Sequence, residues 1–340
     1  RAEAILFPTK AFHILAHQII CMCLQNNGIT VDQIWPILSK AYCFSGISKS
    51  QLDLLISFMV EEDYLRIIDG SVILAGQKSE DEFLRANWKR LFAIFDTGPF
   101  YNVVDGKKIV GSLDSAFARS QKLPFIFVLG GQEWNTIKID HEMQQILVEK
   151  NHTGVAPKWN SLSNIDVPFE LAQEIGKLLS NKEPLPFLDP PALIAFERER
   201  EQYCYMGWSP GKWIMESTSE DSQVIHIWNF AGDKINRALK CFILSTFGEK
   251  PSYDYRGVSI TLNKHQNASA IKESIYELIG RIRIMTDDDI ISYMEKVVDP
   301  KWFSKFSECL PDKLARLTII EKDLDLTGLI REVNVVAVDY

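Results

Sequence analysis

Residues 109–140 read IVGSLDSAFARSQKLPFIFVLGGQEWNTIKID and constrain the fold more than any other stretch. Ile109 and Val110 end one strand-like run, and residues 125–129 form a second, all apolar, bounded by Pro124 and Gly130-Gly131. From Trp134 to Ile139, Trp, Thr and Lys alternate with other residues, so one face can be buried and the other wet. Residues 91–95 and 101–104 before this stretch, and 145–149 after it, add further short runs. Many short strands at hairpin-like spacing predict a small antiparallel β-barrel. Trp134, inside an alternating strand, is expected in its core.

The chain is 340 residues long, which calls for more than one domain. No apolar run reaches the ~20 residues that a membrane helix needs. The start, RAEAILFPTK, lacks the pattern of a secretory signal and reads as the cut edge of a longer, cytoplasmic protein. Six cysteines without a C-x-x-C pair are expected as buried thiols in a reducing compartment. Net charge is −8, which weighs against an autonomous nucleic-acid binder but allows contacts through a few side chains.

Residues 8–76 predict a winged helix. Pro8 and Thr9 open a helix with Phe12, Leu15, Ile19, Ile20 and Leu24 at spacings of three and four. Thr30 caps a second helix, and Ser48 caps a third that buries Leu52, Leu55, Ile56 and Met59. A hairpin across Asp69-Gly70 follows. The third helix would enter a DNA groove, but it turns Asp53, Glu61 and Glu62 outward, where phosphates would be repelled. The winged helix is therefore expected to be a packing element.

Beyond the barrel, Trp159 lies between Lys158 and Asn160 in a loop without apolar periodicity, a combination suited to stacking a single strand or to capping the barrel. Residues 181–191 carry four prolines and mark a linker. The run Glu197-Arg198-Glu199-Arg200-Glu201 is expected to be solvated, and residues 203–206, 212–216, 224–228 and 258–262 to be strands. Residues 232–247 give the clearest helix, with Ile235, Ala238, Leu239, Phe242 and Ile243 on one stripe and Gly248 as its stop. At its start, Lys234, Asn236 and Arg237 are polar where free backbone N–H groups favour an anion.

Motifs for other chemistry fail. Residues 207–213 have three residues between glycines where a phosphate loop needs four, and Trp213 where a Mg²⁺-binding hydroxyl belongs. No acid box of an ATPase is present, His141-Glu142 lacks its second histidine, and His13/His17 has no carboxylate ligand nearby. No catalytic and no metal-binding residue is assigned.

Three features in order resemble one family. They are the winged-helix pattern, the Gly111-Ser112-Leu113-Asp114 turn with Leu129-Gly130-Gly131, Trp134 and Ile139-Asp140, and then Phe230-Ala231-Gly232-Asp233-Lys234-Ile235-Asn236-Arg237. Together they resemble the region past the motors in the Lhr (large helicase-related) family of superfamily-2 DNA helicases. The resemblance spans roughly Pro8 to Leu262. The residues themselves divide into a multidomain α+β chain with a winged helix (1–80), a β-barrel (81–165), a helix with Pro-rich linker (166–200) and a C-terminal mixed α/β module (201–340). The family's module order agrees with this as far as Leu262. The resemblance implies an accessory region that guides the tracking single strand of an ATP-dependent helicase. Its partners would be single-stranded or tailed DNA, or an RNA–DNA hybrid, and the motor domains of the same polypeptide. ATP and Mg²⁺ would belong to those motors, with no cofactor in this chain. Trp159 is nominated as the base-stacking aromatic. The alternative is a non-catalytic protein-interaction scaffold.

Overall fold

The computed structural model describes residues 7–92, 100–106, 108–114, 123–140, 143–151, 165–204, 207–217, 224–248, 251–262, 266–300 and 303–336. The chain divides into two units: Arg1–Leu91 with Asp166–Tyr340, and Phe92–Ile165. It is a mixed α+β protein, as the sequence predicts.

The first unit begins with the winged helix. Its elements are α1 (Phe12–Gln25), β1 (Ile29–Thr30), α2 (Val31–Leu38), α3 (Lys49–Glu61), β2 (Leu65–Ile68), β3 (Val72–Ala75) and α4 (Gln77–Phe83). The strands lie in the order β1-β3-β2. Ser48 accepts from the amide of Gln51, whose side chain in turn accepts from the amide of Ser48, closing a capping box. Asp69 and Gly70 both take positive φ (51° and 75°), as a two-residue hairpin turn requires. The first helix starts at Phe12 instead of Pro8, because the amides of Thr9 and Lys10 donate to the Glu321 carboxylate at 2.9 and 2.7 Å.

That contact belongs to a larger junction. Phe12, Leu15, Ile19, Leu52 and Met59 share one buried core with Phe306, Leu310, Leu314 and Leu317 from the far end of the chain. Phe83 packs on Phe306 with ring centroids 4.7 Å apart. Residues 91–95 are expected as a strand, yet Arg85–Leu91 is a 3₁₀ helix, and residues 93–95 lie outside the described residues. The helix is fixed from the winged-helix side, where His17 Nε2 donates to the Leu91 carbonyl at 2.7 Å. Lys305 donates to the Arg90 carbonyl next to it.

The same unit continues with α5 (Phe169–Ser180), α6 (Pro190–Cys204), β9 (Ile214–Ser217), β10 (Val224–Trp228) and α7 (Asp233–Phe247). Then follow β11 (Ser252–Asp254), β12 (Gly257–Thr261), α8 (Ala268–Ile284), α9 (Asp287–Val297), α10 (Asp312–Asp323) and α11 (Leu326–Val335). The four strands form an antiparallel sheet, β11-β12-β10-β9. Ile225, Ile227, Val258 and Ile260 turn one face onto α7 and α8, against Leu239, Phe242, Ile275 and Ile279. Two sequence expectations are corrected here. Tyr203 is helical, because α6 runs on so that this ring packs with Trp228 and Phe230. Arg200 is 3% exposed rather than solvated; it donates to the Leu178 carbonyl at 3.2 Å and the Glu183 carbonyl at 3.2 Å, closing the end of α5.

The second unit is a curled five-stranded sheet: β4 (Phe100–Asp105), β5 (Lys108–Asp114), β6 (Ile126–Leu129), β7 (Gln132–Asp140) and β8 (Gln145–Lys150), in the order β5-β4-β8-β7-β6. The strands pair antiparallel except β4 with β8, which run parallel and join the β4–β5 hairpin to the β6–β7–β8 meander. Tyr101, Val103, Phe127, Trp134, Ile146 and Val148 fill the inside. The Gly111-to-Asp114 segment is strand rather than turn. A Cβ on Gly111 would lie 2.6 Å from Leu129 Cδ2, so the two outermost strands curl toward each other as a half-barrel.

Candidate nucleic-acid interface

The segment Asn229 to Arg237 combines strain, burial and charge. Phe230 is fully buried with φ at 50°, and its ring sits 4.7 Å from that of Trp208. Its amide donates to the Arg256 carbonyl at 2.8 Å, while Gln173 Nε2 donates to its carbonyl at 2.8 Å. Gly232 has φ 83° and ψ 167°, a conformation nearly reserved for glycine. A Cβ there would meet the Val167 carbonyl oxygen at 2.7 Å. Asp233 completes the join: its amide donates to the Val167 carbonyl at 3.0 Å, and its carboxylate accepts from the Val167 amide at 2.7 Å. Burial pushes the Asp233 carboxyl pKa above its ordinary value.

The nominated residues of this helix start have different fates. Asn236 is wholly buried; its Nδ2 donates to the Asp254 carbonyl at 2.8 Å. Arg237 is taken up by structure, donating to Tyr253 Oη (2.7 Å), the Asp323 carbonyl (2.7 Å) and Asp166 Oδ1 (2.5 Å). Lys234 is the member that faces open space. Its Nζ donates to the Lys322 carbonyl at 2.8 Å, and it lines two adjoining clefts. One, of about 570 Å³, includes Phe169, Gly232, Thr327 and Arg331, with the Arg331 guanidinium 4.3 Å from the Phe169 ring centre. The other, of about 450 Å³, has Ile290, Ile320 and Leu326 on its floor, with Lys10 and Lys322 beside them. Several nearby acids are already engaged: Glu321 by Thr9 and Lys10, Asp325 by the Gly328 amide, and Asp166 by Arg237.

Arg331, Lys10 and Lys322 were not singled out from the sequence, since no local pattern connects residues brought together from both ends of the chain. Lys158 and Trp159 lie outside the described residues. On the winged helix, the outward side of α3 carries a Lys49–Asp53 pair at 2.5 Å, and Glu62 near its end pairs with Lys78 at 3.5 Å. Among the described residues there is no group of three or more His, Cys, Asp or Glu placed to hold a metal ion, and no helix long and apolar enough to cross a membrane.

Residues 1–156 match the family described as large helicase-related protein, winged helix domain. Over these residues the chain is similar to the winged-helix region of large helicase-related proteins. The match runs past the wing and includes all five strands of the half-barrel. Among solved structures, the chain is similar to the Mycobacterium smegmatis helicase Lhr bound to ssDNA and AMP-PNP, with a TM-score of 0.48 and 11% identity. That similarity covers 98% of this chain and 46% of the other, so the chain spans less than half the length of that Lhr helicase. Comparison with curated protein sequences found no match.

Proposed function

We propose that the chain is the C-terminal accessory region of an Lhr-like, ATP-dependent superfamily-2 DNA helicase and that it guides a single strand delivered by motor domains of the same polypeptide. The observation that carries this reading is the Lhr winged-helix match over residues 1–156. In this reading, Trp159 stacks on a base and Lys158 contacts the adjoining phosphate. Lys234, on the lip of its two clefts, supplies a further cation. Asn236 and Arg237 hold the helix start that presents Lys234. ATP and Mg²⁺ act in the motors.

The test is fluorescence anisotropy of the purified chain with a single strand, a tailed duplex and a blunt duplex at two salt concentrations. Single and tailed strands should be preferred, with affinity falling as salt rises, because phosphate contacts release counterions. Trp159→Ala should weaken binding without lowering the melting temperature. A cap on the barrel would instead melt early, since losing a buried Trp costs ~3–5 kcal/mol. Equal or better binding of blunt duplex would overturn the reading. A second reading, a protein-interaction scaffold, is favoured by the net charge of −8 and the acidic outward side of α3. It predicts no strand binding at any salt.

A further inference from the structure

The larger of the two clefts beside Lys234 is built where three helices begin. Phe169 opens α5, Gly232 precedes α7 and Asp325 precedes α11, and all three residues line it. Its carboxylates are accounted for by the fold. Asp325 accepts the Gly328 amide at 2.7 Å, and Asp166 pairs with Arg237 at 2.5 Å. Glu170 lies in the first turn of α5, where the helix dipole favours an anion. The cations of the cleft are not used up in the same way. Lys234 gives one of its three donors to the Lys322 carbonyl and, among the described residues, pairs with no carboxylate.

Arg331 is the second cation, and its setting is specific. Its guanidinium lies over the Phe169 ring, 4.3 Å from the ring centre. The ring in turn packs on the buried core behind the C-terminal sheet, which gives the pair a fixed base. The arginine side chain is nonetheless 53% exposed. Its hydrogen bond from Nε to Glu332 is long, at 3.4 Å, and uses one of five N–H donors. An arginine that only covered an aromatic edge would turn its charge to bulk solvent. This one lines a cleft of about 570 Å³ with a lysine on the lip. Clefts of that size take small organic ligands. Guanidinium planes are surfaces on which unpaired bases stack, and an ammonium beside them suits a phosphate.

We propose that this cleft is a nucleobase subsite, in which one base stacks on the Arg331 guanidinium and Lys234 takes the adjoining phosphate. Phe169 is a positioning residue that acts through Arg331 by holding the guanidinium in place. The proposal rests on the reading that the chain takes single strands, and it deepens that reading by naming what the cleft beside Lys234 holds. Stacking needs a plane as well as a charge, so lysine is no substitute for arginine here.

The test uses the whole 340-residue chain and fluorescently labelled oligo(dT), read by anisotropy across a salt series. Arg331→Lys keeps the charge and gives up the plane. It should weaken binding roughly 5- to 100-fold, the span that corresponds to losing one stacked base, and keep the wild-type salt slope. Phe169→Leu should weaken binding too, and adding it to Arg331→Lys should cost little more, because the two side chains act as one unit. Losses that add in full overturn the stack. If Phe169→Leu fails to fold, Arg331→Lys alone decides, since that side chain is half exposed. Folded Arg331→Lys protein with wild-type affinity overturns the subsite and leaves the single-strand reading standing. Wild-type chain that ignores oligo(dT) overturns both.

Discussion

Asn229 donates from Nδ2 to Oδ1 of Asn236 at 2.7 Å, joining the end of β10 to the first turn of α7 through two buried amides. Asn229 Oδ1 accepts the Ala231 amide at 3.0 Å, and Asn236 carries the chain on to the Asp254 carbonyl. A buried polar group left without its partner costs about 1–3 kcal/mol. Asn236→Ala strands both the Asn229 amide and the Asp254 carbonyl, so urea denaturation should show a loss in that range or slightly above it.

Two glycines offer an internal comparison. Gly232→Ala must place a methyl against the Val167 carbonyl while holding a backbone shape that alanine resists. Gly248, which ends α7 with φ 69°, has no heavy atom within 4 Å of its would-be Cβ. Gly248→Ala should cost about 1–2 kcal/mol from backbone strain alone. Gly232→Ala should cost clearly more, and equal midpoints in a denaturant series would refute the close-approach argument.

Lys234 and Arg237 should separate in paired assays. Arg237→Ala removes three donated hydrogen bonds and should lower stability by about 2 kcal/mol. Lys234→Ala should stay within about 0.5 kcal/mol of wild type. It should nonetheless weaken single-strand binding and reduce the salt slope by about one. A Lys234→Ala chain with unchanged salt slope would remove this lysine from the strand path.

Acid should loosen the junction around α1. His13 sits edge-on to Phe303 at 5.3 Å, and its buried Nδ1 has no hydrogen-bond partner among the described residues. Burial, with Lys322 nearby, pushes its pKa down to about 4. Burial lowers the His17 pKa as well. Below pH 6.5 the unfolded chain takes up a proton that the folded chain refuses, so stability should fall between pH 6.5 and about 4 and level off below. For His13 the loss is about 3 kcal/mol over that window. Urea midpoints at pH 7.0 and 5.0 should show it, and His13→Phe should flatten the slope.

Local signals were readable wherever a few neighbouring residues decide the outcome. Ser48, Asp69-Gly70 and Gly248 each set a cap, turn or stop by their own backbone chemistry, and the apolar stripe of α7 faces the core as expected. Tyr203 reads as strand from sequence because its aromatic character fits a sheet; only its packing against Trp228 and Phe230 makes it the last turn of a helix. Arg200 was hidden in a charged run, since nothing local says which of five charges will cap a distant helix. The parallel pairing of β4 with β8 depends on a crossover that strand patterns do not encode. The Lys234 clefts were half legible: the helix start was found, while Lys10, Lys322 and Arg331 reach it from segments with no motif.

Thr9 and Glu321 are 312 residues apart and hydrogen-bonded. A ribosome adding roughly 5–20 residues per second needs about a quarter of a minute to a minute to cover that distance. Throughout that interval the winged-helix apolar surface lacks Phe306, Leu310 and Leu314, the side chains that finish its core. The winged helix is thus sealed long after it has emerged, and its production in cells depends on keeping that surface from other nascent chains.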